Sequence, residues 1–158
     1  MDTIEILTQK AAGLLERLIA TPSVSRDENA VSAIIGQALS QYGYKCERIM
    51  NNVLCYGHNY SADKPTILLN SHMDTVKPVQ GWTIDPFTPL KRNGNLYGLG
   101  SNDAGASLVS LLYSFVYLDS KPQSYNLVFL ATAEEEVTGA NGAKLAKDSL
   151  PKIDLAII

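Results

Sequence analysis

Thr66-Ile67-Leu68-Leu69-Asn70-Ser71-His72-Met73-Asp74-Thr75 begins with consecutive apolar residues and closes on an imidazole and a carboxylate. An apolar run of this length, with no polar alternation at its centre, describes a strand buried on both faces, as in a parallel sheet. In open α/β sheets ligands bind outside the carboxyl ends of the strands, so His72 and Asp74 stand where chemistry is expected.

Upstream, Ile4, Leu7, Ala11, Leu14, Leu15 and Leu18 recur at helical spacing, and Thr21-Pro22-Ser23 stops that helix. Ser25-Arg26-Asp27-Glu28 has the pattern of a capping box opening a second helix. Its apolar face is Val31, Ile34, Ile35, Ala38, Leu39 and Tyr42, and Gly43 ends it. A hairpin of strands 45–50 and 53–58 is expected around Asn51-Asn52. That register sets Cys46 opposite Gly57 and Cys55 opposite Arg48. The two thiols are then diagonal, at ~7–8 Å, and remain free. His58 falls on the second strand and reads as structural.

Downstream, residues 77–98 carry Pro78, Gly81, Pro86, Pro89 and Gly94 and must be mostly loop, with a short hairpin about Asn93-Gly94. Loops this long in a compact domain are usually functional. A third helix is expected over about 103–119, with Leu108, Leu111, Leu112, Phe115 and Val116 on one side. A strand (126–131), a fourth helix (about 141–149) and a buried last strand (154–158) complete the pattern. Helices alternating with buried strands give an α/β fold: a mixed, mostly parallel sheet with helices on both faces.

Of the 158 residues, 46% are hydrophobic and 18% charged, with 13 Lys+Arg against 16 Asp+Glu, which excludes disorder as the main state. The net charge of -3 argues against nucleic-acid binding, and the scattered tyrosines and Trp82 form no base-stacking platform. The longest apolar run, 127–133, is strand-sized and too short for a membrane span. Met1-Asp2-Thr3-Ile4-Glu5 shows no basic region ahead of an apolar stretch, so a cytoplasmic domain with no membrane partner is expected.

Three segments concentrate acidic or imidazole groups: 71–75, Gly98-Leu99-Gly100-Ser101-Asn102-Asp103, and Ala133-Glu134-Glu135-Glu136 just past a strand. One histidine and several carboxylates on one sheet edge suit Zn²⁺ or a similar divalent cation. A carboxylate beside a ligating imidazole, as Asp74 is to His72, orients the ring. Of the adjacent glutamates, one would bind metal and the other would serve as general base. Gly98 and Gly100 let the chain turn sharply before Asp103. Taken singly, His72 reads as a core or rim histidine, the glutamates as a solvated charge run and Asp103 as a helix cap.

Together the motifs carry a resemblance. Leu68 to Val76, Trp82 through Asp85-Pro86-Phe87, Leu96 to Asp103, and Ala131 to Glu136 with Gly139 after it resemble a known family in order and spacing. The family is that of the acetylornithine deacetylases and succinyl-diaminopimelate desuccinylases, two-zinc amidohydrolases related to aminoacylases and carboxypeptidases. The resemblance runs from the first helix onward and implies a zinc exopeptidase-like catalytic domain. It further implies that His72 binds one metal, Asp103 bridges both, and Glu136 binds the other. Asp74 would hold the His72 ring, and Glu135 would deprotonate a metal-bridging water that attacks the amide carbonyl. Zinc is the implied metal, with cobalt a substitute. The implied substrate is a small N-acyl amino acid. N-acetylornithine or N-succinylornithine is favoured, in arginine biosynthesis, with a desuccinylase or dipeptidase as alternatives.

Two departures stand out: Leu99 replaces a common Arg, and Ala104-Gly105-Ala106-Ser107 replaces a common Met-Lys-Gly-Gly. The resemblance also implies a further Glu ligand, a His ligand, and a lid and dimerisation domain beyond Ile158. On that reading residues 1–158 are the N-terminal part of the catalytic domain and are inactive alone, while the longer protein forms a homodimer. The apolar run Leu155-Ala156-Ile157-Ile158 is expected to lie inside the sheet. A metal-binding or interaction module without turnover is the contrasting reading.

Overall fold

The computed structural model describes residues 2–158. Helix α1 (Ile4–Ile19) starts on Thr3, whose hydroxyl accepts from the Ile6 N–H, and buries Leu7, Leu14, Leu15, Leu18 and Ile19 along one stripe. Helix α2 (Asn29–Ser40) leads to strands β1 (Cys46–Ile49) and β2 (Asn52–Tyr56), and β3 (Thr66–His72) comes next. A small hairpin, β4 (Leu90–Arg92) and β5 (Asn95–Tyr97), turns through Asn93-Gly94 as expected. Helix α3 (Ser107–Asp119), β6 (Asn126–Thr132), the short α4 (Ala143–Ala146) and β7 (Leu155–Ile157) complete the chain.

The main sheet has the order β1-β2-β6-β3-β7. Strands β6, β3 and β7 are mutually parallel, while β2 is antiparallel to both β6 and β1. Four of the five strands therefore run the same way, the mixed and mostly parallel sheet expected. Every residue of β6 is buried, and side-chain alternation divides the core. Leu127, Phe129 and Ala131 pack into the larger cluster with α1, α2 and α3. Val128 and Leu130 face the other side, against Ala146, Leu150 and Ile153. Among the described residues no helix is long and apolar enough to cross a membrane.

Six local expectations are corrected. The hairpin loop is Met50-Asn51 rather than Asn51-Asn52, with Met50 at φ 54, so Cys46 pairs with Cys55 instead of Gly57. The cause is Asn52. Its buried amide donates to Ile49 O (2.8 Å) and Asn141 O (2.6 Å) and accepts from Ala133 N (3.0 Å), which pins it in β2. Both cysteines are free thiols, although they stand directly opposite each other and not diagonally as expected. The capping box does not form, because Ser25 and Glu28 bond elsewhere and α2 starts at Asn29 without a side-chain cap.

The third helix begins at Ser107 rather than Asp103, which lies in a wide turn (Ser101–Ala106) at non-helical φ −108, ψ 103. The fourth helix shrinks to α4 and a 3₁₀ turn after it, Lys147–Ser149. β7 is not buried. It is an edge strand, bonded among the described residues only to β3, and Leu155 and Ile157 are 54% and 46% exposed. His58 lies in the turn after β2, stacked on the Tyr44 ring at 4.2 Å, its N–H donating to Asp119 (2.9 Å).

Candidate functional site

β3 and β6 are neighbours in parallel register and end together, with His72 beside Thr132. The segments leaving the two strands therefore meet at one edge: Asp74 after β3, and the acidic turn 134–136 after β6. Asp103 arrives from the wide turn ahead of α3. Gly100 (φ 74) makes that approach possible, since a Cβ there would lie 2.7 Å from the Thr75 methyl. His72 Nε2 is 3.0 Å from Asp103 Oδ1 and 3.9 Å from Glu135 Oε2. His72, Glu135 and Glu136 each offer a ligating atom, all within 4.8 Å of one another. The five residues singled out from the sequence thus converge. His72 is nearly covered, while the side chains of Asp103 and Glu135 are open to solvent.

The ring of His72 is fixed by its surroundings. Nδ1 lies 2.9 Å from the Asp74 carbonyl oxygen, which can only accept, so Nδ1 carries a proton. The Asp74 carboxylate is farther away, at 3.5 Å. Nε2 faces the Asp103 carboxylate at 3.0 Å, an arrangement that favours a proton on this nitrogen as well. Bonding to Asp74, against the opposing effect of burial and with help from Asp103, pushes its pKa up to about 9.

Asp74 faces the His72 ring with both its carbonyl oxygen (2.9 Å) and its carboxylate (3.5 Å). The carboxylate also grips the acidic turn. Oδ1 accepts the Glu135 N–H (3.0 Å), and Oδ2 accepts the Glu136 N–H (3.2 Å) and the Ser25 hydroxyl (2.7 Å). Burial opposes its charge, but the bonds from His72, Ser25 and the two N–H groups prevail and hold its pKa below the ordinary value. Glu136 moves the other way, raised by burial and by the negative charges of Asp103, Glu135 and Asp74, with His72 partly offsetting them.

Sequence reading missed the frame behind these residues. Ser25 and Glu28 looked like a local cap, and Glu134 like part of a solvated charge run. Glu134 is in fact 6% exposed, with its carboxylate held by Asn141 (Nδ2 at 2.9 Å, N–H at 3.3 Å). Gly139 makes room for it, since a Cβ there would lie 1.9 Å from Glu134 Oε2. Gly139 and Asn141 follow the glutamates closely, but both are ordinary loop residues and carry no signal of this burial.

One imidazole nitrogen and several carboxylate oxygens at one point form the donor set of zinc and related divalent ions. Glu136 is raised first by burial and then by the negative charge of its neighbours, and a cation here would relieve the second of these. The residues fit such a metal.

Residues 68–157 match the family described as Peptidase family M20/M25/M40, more than half of the chain and both strand ends of the site. The chain belongs to peptidase family M20/M25/M40. Within the wider set of relatives it is 30% identical over 149 residues to a succinyl-diaminopimelate desuccinylase of Delftia acidovorans, a match covering 87% of this chain and 39% of the relative. A protein of the same name from Anaplasma marginale is 32% identical over 130 residues, covering 76% and 32%. The chain thus spans about two-fifths or less of the length of these curated relatives.

Solved structures agree on the M20 fold. Human carnosine dipeptidase 1 superposes with a TM-score of 0.74 at 17% identity, over 97% of this chain and 38% of that one. The Bacillus subtilis YXEP protein, described as a dinuclear metal binding peptidase from the M20 family, gives 0.72 at 18%, over 98% and 43%.

Proposed function

We propose that this chain carries the metal-holding and water-activating part of an M20 amidohydrolase that cleaves the amide bond of a small N-acyl amino acid. The observation that carries the reading is the convergence of His72, Asp103, Glu135 and Glu136 at the shared carboxyl ends of β3 and β6. His72, through Nε2, with Asp103 and Glu136 would hold the metal, zinc by preference. A bound divalent cation supplies Lewis acidity, polarising the scissile carbonyl and acidifying a water.

The chain's own groups do the rest. The Asp74 carbonyl keeps the proton on Nδ1, so the Nε2 lone pair is directed into the cluster once its proton leaves. Asp103, with Oδ1 3.0 Å from Nε2 on a side chain 77% exposed, would help to hold the metal. Glu135 Oε2 lies on the solvent side, 3.9 Å from Nε2, where it can take a proton and return it to the departing amine.

The resemblance of the motifs favoured an ornithine substrate and arginine biosynthesis. The curated relatives from Delftia and Anaplasma are desuccinylases instead, which shifts the preferred acyl group to succinyl and the amino acid to diaminopimelate, in lysine and diaminopimelate biosynthesis. The dipeptidase neighbour keeps a dipeptide as the contrasting substrate.

The test is amine release by the metal-loaded product of the full reading frame that carries these residues. Substrates are N-succinyl-diaminopimelate, N-acetylornithine and a dipeptide. Hydrolysis of the succinyl compound is expected to exceed the others by about tenfold or more in kcat/KM and to stop on chelation. Chelator-resistant hydrolysis contradicts the reading. Preference for the dipeptide overturns the substrate assignment alone.

A further inference from the structure

Glu28 is fully buried, at 0% exposure, caps no helix, and has no part in the proposed chemistry. Its partners are all N–H donors. Oε1 accepts from the backbone of Arg26 (2.6 Å) and of Glu134 (3.2 Å), and Oε2 accepts from Asn51 Nδ2 (2.7 Å). Arg26 (φ 81) and Glu134 (φ 55) both adopt the left-handed conformation that side chains disfavour. A single carboxylate oxygen thus fastens two unfavourable backbone positions 108 residues apart.

The Glu134 bond is one of a series. Four successive N–H groups are taken by side chains from three other parts of the fold: Ala133 by Asn52, Glu134 by Glu28, and Glu135 and Glu136 by Asp74. The kink at Glu134 turns its own side chain inward to Asn141 and leaves the next two glutamates on the His72 side. Glu28 is the acceptor for the Glu134 N–H itself; without that bond the left-handed kink keeps only the contacts from Asn52, Asn141 and Gly139, and a relaxed turn would rotate the Glu135 and Glu136 N–H groups away from Asp74.

The geometry points to Glu28 as a positioning residue: by holding the Glu134 N–H it sets the kink that places Glu135 and Glu136 opposite His72. Its action on metal uptake rests on the proposed metal site; its action on the turn does not.

The test measures backbone amide exchange at Glu134, Glu135 and Glu136, and cobalt uptake by visible absorption, in the 158-residue chain. In Glu28→Ala, protection is expected to fall about tenfold or more at all three amides, although Asp74, the acceptor for two of them, is untouched. Cobalt affinity is expected to fall about 10- to 100-fold. Glu28→Gln restores both to within a few-fold, because its carbonyl can serve Arg26 and Glu134 while its amide faces a turned-over Asn51. Glu28→Asp keeps the charge but is one methylene short of the Glu134 N–H, and is expected to lose both. Leu39→Ala, which removes core packing from α2 without touching Glu28, should lower the melting temperature and leave both readouts at wild type.

If Glu28→Ala does not fold, the contrast of Asp with Gln decides. Wild-type behaviour in Glu28→Asp, loss confined to the Glu134 amide, or an equal loss in Leu39→Ala overturns the assignment. A wild-type chain that takes up no cobalt contradicts the metal reading, and amide exchange alone then decides the role of Glu28.

Discussion

Glu135→Gln in the full reading frame is expected to lower kcat by about 10³-fold while metal content stays at the wild-type level, if Glu135 is the proposed general base. Glutamine keeps the shape of the side chain, and the bond from the residue 135 N–H to Asp74 Oδ1 involves only backbone on the Glu135 side, so the turn is preserved. The loss is that of a proton acceptor. Oε2 is exposed and sits at the edge of the cluster, 3.9 Å from His72 Nε2, a place suited to handling a proton more than to structure. Steady-state kinetics with metal analysis on the same sample check this. A loss of less than tenfold, or a loss matched by loss of metal, moves the general-base role away from Glu135.

Asp74→Asn is expected to destabilise the chain by about 3 kcal/mol near neutral pH, to be checked by urea unfolding in chelator. Asp74 is 1% exposed and accepts from Ser25, Glu135 and Glu136 while lying 3.5 Å from the His72 ring. An asparagine must turn an NH₂ group toward one of these donors, leaving buried N–H groups facing each other. The pH dependence has two limbs. The Asp74 pKa is lowered by folding, so its contribution is present above the unfolded value of ~3.9 and is lost as pH falls through the folded one. The His72 pKa is raised, so its contribution is complete below the unfolded value of ~6.5 and is lost as pH rises through about 9. The gap between wild type and Asp74→Asn is therefore widest between about pH 4 and 6.5 and narrows on both sides. A gap that stays constant from about pH 3 to 9.5 contradicts this account.

The features legible in the sequence are those that depend on short spans. The 66–70 run could only be a strand buried on both faces, and it is the central parallel strand β3. Its carboxyl end, with that of β6, told where His72 and the glutamates would gather. The features that were not legible are decided by partners far along the chain. Ser25 and Glu28 have the spacing of a local cap, but their oxygens go to Asp74 and Glu134, 49 and 106 residues away. Asn51-Asn52 resembles a turn, yet the bond from Asn52 to Asn141, 89 residues on, draws Asn52 into β2, moving the loop by one residue and the cross-strand partners by two. Glu134 illustrates the same limit, because three consecutive glutamates give no hint that one of them is inside. Local pattern sets which elements can form. Long-range bonds to buried polar groups choose among the registers and caps that remain.

The central claim is that His72 and the surrounding carboxylates form a divalent metal site in which the proton on Nε2 and the metal compete for one position. Cobalt titration of the 158-residue chain at stepped pH tests it most directly. A metal that must displace one proton from a group titrating at about 9 gains apparent affinity by about tenfold per pH unit up to that point and levels off above it. His72→Ala is expected to weaken binding at least about tenfold and to flatten the profile. Affinity that is independent of pH between about 6.5 and 8.5, or unchanged in His72→Ala, would contradict the account.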